Sequence, residues 1–236
     1  MFLAIETSSL VSSVALLHEK TLRAEVTVQA KLTHSEQLMP HIADMLQKAA
    51  VHKNDIDGIA VSVGPGSFTG LRIGLATAKG LSFARKIPLA GIETPRVLAW
   101  NFVDSAKAVC PLIDAQKGNV YVSLYAWHDG VLKEIEPVSV APATDVIARF
   151  AGSKDDVFFC GDGALKFAAD IESAGGPCRL APPHMVIPRA GALALAAAER
   201  FAAGDTDDCM TLTPAYKRRS EAEVLWEKRR SGALCP

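Results

Sequence analysis

No apolar run in the 236-residue sequence approaches the roughly 18 residues that a membrane span needs. The greasiest stretch, Ala190–Ala198, is short and rich in alanine. The opening MFLAIETSS is brief and has no basic segment, so it does not read as a signal peptide. Cysteine is scarce. The five, Cys110, Cys160, Cys178, Cys209 and Cys235, are odd in number and none pairs with another at metal-ligand spacing. That argues against a disulfide framework or a zinc knuckle and fits small buried side chains in a reducing cytoplasm. There is no HExxH, and His34 and His41 stand seven positions apart. Two helical turns, about 10 Å, is too far for both to hold one ion. No metal site is expected. Neither charge dominates, with 25 basic residues against 26 acidic and a net charge of -1. Bulk charge therefore does not wrap this chain in nucleic acid. What is present, 49% hydrophobic and 22% charged residues, is the mix of a globular protein with a sizeable core.

The patterning predicts two related halves. Phe2–Glu6 is an apolar run ending in an acid, followed by the polar turn Thr7-Ser8-Ser9 and strands over Val11–Leu17 and Leu22–Val28. Thr33 to Glu36 fits a capping box opening a helix over Glu36–Ala49, with Pro40 expected to kink it or delay its start. A strand over Gly58–Val63 runs into Gly64-Pro65-Gly66-Ser67-Phe68-Thr69-Gly70 and a helix over Leu71–Arg85. In the second half, Val109–Asp114 again ends in an acid. A turn and a return strand from Asn119 follow. The two acids, Glu6 and Asp114, lie about 108 residues apart, which reads as a weak internal repeat. The division expected is a first lobe over 1–104, a smaller second lobe over 105–213 and a basic tail over 214–236.

Three constellations bear on chemistry. The glycine loop precedes a helix N-terminus, a geometry suited to phosphate. Its spacing is wrong for a dinucleotide fingerprint, it lacks a P-loop lysine, and Ser67 lacks the setting of a nucleophile elbow. The plainer reading is a tight turn that aims a helix. Along that helix Gly70, Gly74 and Ala78 form a small-residue stripe beside Leu71 and Leu75. The stripe allows close approach by the protein's own sheet or by a partner. Glu6 and Asp114 would face each other across a cleft between the lobes, where a phosphotransferase holds Mg²⁺, with Thr7, Ser8 and Ser9 as a phosphate turn. Alternatively Glu6 caps a turn and Asp114 makes an Asx-turn.

Six segments, LAIETSS with SVALL, HSEQLMPHI, VGPGSFTGLRIGLATAKGLS, IDAQKGNVYVSLY, CGDGA and PAYKRRSEAE, resemble the bacterial TsaB family, also called YeaZ. They cover residues 2 to about 222 in order, and GPGSFTGLRIG is the most specific of them. The resemblance implies an α/β fold of two duplicated ribonuclease-H-like lobes, as in the actin, sugar-kinase and Hsp70 superfamily, with the second lobe truncated. It implies a non-catalytic, activating paralogue of TsaD in the making of threonylcarbamoyladenosine beside the tRNA anticodon. TsaD and the ATPase TsaE are the implied partners, with tRNA met through the complex and a homodimer when the chain is alone. The partner surface implied is the two helices, through His34, Leu38, Ile42, Met45, Phe68, Gly70, Leu71, Gly74, Leu75 and Ala78. On this view Gly74→Arg or Leu75→Asp would abolish TsaD binding without unfolding the chain. TsaD carries a His-x-x-x-His metal pair. Here His34 is followed four residues on by Leu38, which argues against metal catalysis and a peptidase. No cofactor is required. Weak ATP or ADP binding is left open for a vestigial cleft of Glu6, Thr7, Ser8, Ser9, Asp114, Gly161, Asp162 and Gly163. The rival reading is a small phosphotransferase or ATPase using Glu6 and Asp114.

Overall fold

Four of the five residues of Phe2–Glu6 (β1) are buried, because this strand lies mid-sheet with cover on both faces. The computed structural model describes residues 1–29, 34–105 and 107–215, and the side chains of His34 and Ser35 lie outside that description. The expected cap at Thr33 and the tail from Tyr216 also fall outside it.

β1 pairs antiparallel with Val11–His18 (β2), which pairs antiparallel with Thr21–Gln29 (β3). On its other side β1 pairs parallel with Gly58–Gly64 (β4), and β4 pairs parallel with Leu89–Glu93 (β5). The sheet order is β3-β2-β1-β4-β5. After the connecting helix Thr94–Ala99 (α3), the same plan recurs. Ala108–Asp114 (β6), Asn119–His128 (β7) and Val131–Pro142 (β8) form the meander. Val157–Cys160 (β9) and Cys178–Leu180 (β10) add in parallel, giving β10-β9-β6-β7-β8. The repeat expected from Glu6 and Asp114 is thus a duplication of topology. Each acid is the last residue of the first strand of its sheet.

Period-2 alternation divides the first sheet between two layers. Leu3, Ile5, Val14 and Leu16 face His34–Lys48 (α1) and Phe68–Arg85 (α2). Ala4, Ala15, Leu17, Ala60 and Ala90 face Ala190–Ala202 (α7), whose alanines let it lie close to the sheet. α1 is continuous through Pro40 rather than starting late. α2 begins three residues earlier than the sequence suggests. Ser67 caps it, its hydroxyl accepting the Gly70 N–H at 3.3 Å. The second sheet carries shorter helices: Ala143–Ala151 (α4), Asp162–Lys166 (α5) and Ala168–Ala174 (α6), the last of which, with β10, the sequence reading missed.

One boundary needs correction. The sequence division put everything from 105 to 213 in the second lobe. In the structure the chain returns. α7 packs on β1, β2, β4 and β5 of the first sheet. The following strap bridges to the β5 edge through Leu89 and Asp207, and the Ala215 N–H reaches the Val63 carbonyl at 2.7 Å. Arg200 of α7 ties this strap down, donating to Asp205, Asp207 and the Gly91 carbonyl. Only a tertiary contact reveals this return, since an alanine-rich helix carries no label for the sheet that it covers.

Candidate functional site

Two places collect the residues singled out in the sequence: the cleft between the lobes and the α1–α2 layer. In the cleft, Glu6 is fully buried. Its Oε1 accepts the Ser8 N–H at 2.6 Å, while Oε2 has no hydrogen-bond partner. Burial pushes its carboxyl pKa up, tempered by the neighbouring Ser8 and Ser62. The Thr7 hydroxyl donates to the Gly70 carbonyl at 2.8 Å. The Ser67 N–H donates to the Ser8 carbonyl at 2.7 Å, and the Ser9 hydroxyl accepts the Val11 N–H at 3.2 Å. Two of the three hydroxyls of the turn, those of Thr7 and Ser9, are therefore committed to the protein's own backbone.

Across the cleft, Asp114 accepts the Gln116 N–H at 2.9 Å, which is the Asx-turn reading. Both of its oxygens also take Lys166 Nζ, at 3.0 and 2.9 Å. Lys166 was not anticipated. It comes from α5, and its meeting with Asp114 is a product of the fold. Asp162 Oδ1 accepts the N–H groups of Asp114 and Gly163, while desolvation by the cleft wall pushes its pKa up. Gly161 has φ +96°, and a Cβ there would overlap the Leu112 carbonyl, so glycine is required. The remaining space, lined by Ser8, Ser9, Thr94, Leu98, Ile113, Gly161, Asp162 and Pro188, is no more than one water molecule needs. Ligand sites for molecules of nucleotide size run about 300–1,000 Å³.

The residues do not fit a Mg²⁺–nucleotide. Glu6 is fully buried behind the turn, with one oxygen already taken by the Ser8 N–H. Asp114 is neutralised by Lys166. The space is too small. Of the two readings of these acids, the turn-capping one has its hydrogen bonds in place. Among the described residues no group of three His, Cys, Asp or Glu side chains stands close enough to hold a metal.

The buried Glu6 makes a pH prediction. The unfolded carboxyl titrates near about 4.3 and the folded one above it. Its contribution to stability is therefore full below the unfolded value and is lost as pH rises through the folded value. Glutamine cannot ionise. The melting temperature of Glu6→Gln minus that of the natural chain should grow between about pH 4 and pH 8, each tenfold separation of the two acid constants contributing about 1.4 kcal/mol. A constant difference across that range would show that burial does not raise the Glu6 carboxyl.

The α1–α2 layer gives the second correction. Leu38, Ile42, Met45, Leu71, Leu75 and Ala78 are all buried against the chain's own first sheet. Gly70 and Gly74 are the closest points of approach. A Cβ on Gly70 would overlap the Thr7 carbonyl oxygen, and one on Gly74 the Thr7 hydroxyl. The stripe therefore serves the monomer's own packing, one of the two readings that its spacing left open. Phe68 is different: it is half-exposed at the start of α2, with Arg72 over its ring. Outward residues that the sequence reading passed over are Met39, 48% exposed on α1, and Phe83, 67% exposed near the end of α2. Their signal was available, because each is a large apolar residue off the buried stripe of its helix.

Fold and cleft together define the class: a mixed α/β chain in which two five-stranded sheets repeat one topology. Among the described residues no helix is long and apolar enough to cross a membrane. A family model described as TsaD: tRNA N6-adenosine threonylcarbamoyltransferase matches residues 22–226. The tRNA threonylcarbamoyladenosine biosynthesis protein TsaB of Bacillus subtilis is 33% identical over 95% of this chain and 96% of its own length. Its counterpart in Escherichia coli is 29% identical over 96% of each chain. The solved structure of YeaZ from Pseudomonas aeruginosa superposes with a TM-score of 0.77 at 29% identity, covering 91% of this chain and 98% of that one. The chain belongs to the TsaB family of tRNA threonylcarbamoyladenosine biosynthesis proteins.

Proposed function

We propose that this chain is a non-catalytic subunit of the machinery that makes threonylcarbamoyladenosine in tRNA, and that it binds TsaD and holds it in working form. The observation that carries the reading is the division of α1 and α2 into two faces. Their inner faces are spent on the sheet, yet Met39 and Phe83 remain exposed on their outer faces. Large apolar side chains kept in water on a well-packed pair of helices suit a protein partner. The cleft supports the same reading, since its carboxylates are buried or internally paired. No nucleotide of its own is needed for this role. TsaE and tRNA meet the chain through the assembled complex.

Reconstitution tests it. The chain alone should not modify tRNA, and TsaD with TsaE, tRNA and threonylcarbamoyl-adenylate should depend on it. Turnover by the isolated chain, or Mg²⁺-dependent ATP hydrolysis lost in Glu6→Ala, would replace this reading with the phosphotransferase one.

A further inference from the structure

Between β10 and α7 the chain crosses from one lobe to the other. Upstream, the Ala181 N–H donates to the Phe159 carbonyl of β9 at 2.8 Å. Downstream, the Ala190 N–H donates to the Ser13 hydroxyl on β2 at 3.0 Å. Arg189 pairs with Glu25 of β3 at 2.5 Å, and that carboxylate also accepts the Gly191 N–H. The stretch between these anchors lies in the cleft. Val186 is 3% exposed, and Pro188 closes one side of the small space in the cleft.

The bonds made by its backbone are unusual for a connection. Three consecutive carbonyls are each captured. Both protons of the Asn101 side-chain amide are engaged, Nδ2 reaching the Met185 carbonyl at 3.0 Å and the Ile187 carbonyl at 2.9 Å. The carbonyl between them, that of Val186, accepts the Gly161 N–H at 2.6 Å. Asn101 lies in the 3-10 turn Trp100–Phe102 that leads out of α3 toward the second lobe, whereas Gly161 opens α5 inside that lobe. The segment is therefore held at once by a side chain from the turn after α3 and by the backbone that opens α5. A surface loop ordinarily leaves its carbonyls to water. The turn is also prepared locally, since the N–H groups of Met185 and Val186 both bond to the Pro182 carbonyl.

We propose that residues 182–188 form an interlobe latch, with Asn101 as the residue that holds it closed. It fixes the angle between the two sheets and takes up the Gly161 N–H that a molecule in the cleft would otherwise use. Trp100 stacking edge-on to Trp127 at 4.9 Å, and the Trp127 indole N–H on the Ala99 carbonyl, brace the same junction, and both rings share an apolar cluster with Met185, Val186 and Ile187. This inference stands apart from the partner reading, because it concerns the chain alone.

Hydrogen exchange read by mass spectrometry on the full chain tests it. In Asn101→Ala, segments 182–189 and 159–166 should exchange at least about tenfold faster, while β1, β4 and α2 keep their protection. Asn101→Ser, which keeps one donor, should fall between. In the natural chain the two segments should respond together to low denaturant, as one opening unit. Unchanged exchange in Asn101→Ala overturns the latch. So does acceleration or unfolding spread evenly over both sheets in both variants, or separate denaturant responses of the two segments in the natural chain.

Discussion

Gly74→Arg is expected to abolish folding rather than partner binding. Gly74 is buried on the inner face of α2, where even a methyl group would press on the Thr7 hydroxyl, which is itself held by the Gly70 carbonyl. An arginine there must displace β1 from α2 or bury an unpaired guanidinium. Overpacking and an unpaired buried charge are each among the costliest single changes, and together they should exceed about 4 kcal/mol. Domains are stable by about 5–15 kcal/mol, so a loss of this size takes a large part of the margin. The measurement is soluble yield and thermal unfolding. Gly74→Ala provides the graded test: a loss of about 1–3 kcal/mol, or about 2–12 °C in melting temperature for a chain of this size. Leu75→Asp should behave like the arginine variant, because Leu75 is 4% exposed within the same layer. A Gly74→Arg chain that melts like the natural one would mean that α2 does not sit on β1 as described.

Phe83→Lys should do the opposite. It leaves the fold intact and cuts TsaD binding. Phe83 is 67% exposed, so its removal takes little from the core, and surface changes of this kind stay within about 0.5 kcal/mol. Lysine is also tolerated near the end of α2, where its charge complements the helix C-terminus. An aromatic anchor at a protein interface commonly contributes about 2 kcal/mol or more, so the dissociation constant should rise at least about thirtyfold. Met39→Lys on α1 should weaken binding in the same sense. Titration calorimetry with TsaD, beside the melting temperature of each variant, separates binding from folding. Unaltered affinity in both variants would remove the outer face of α1 and α2 from the partner surface.

The contrast between these variants shows where the sequence was legible and where it was not. A helix over Leu71–Arg85 and its small-residue stripe were readable from spacing alone, because Gly70, Gly74 and Ala78 recur every fourth position. Which neighbour the stripe meets was not readable. Periodicity describes a face and is silent on what lies opposite it. The same holds for α7, whose composition announced burial but not the sheet it covers. Lys166 on Asp114, and Asn101 on two carbonyls more than 80 positions away, belong to the same class of long-range pairings.

Local chemistry alone determined the meander opening each half, the acid that ends each first strand, the turn at Thr7-Ser8-Ser9 and the duplicated plan, since strand alternation and turn residues act over a few positions. Tertiary structure decided that the glycine stripe faces inward, that the cleft acids are sealed or neutralised, and that the chain returns to its first sheet. Those outcomes depend on close approach between distant segments, where a single missing Cβ or one lysine in reach determines the contact, and no short window of sequence contains both sides of it.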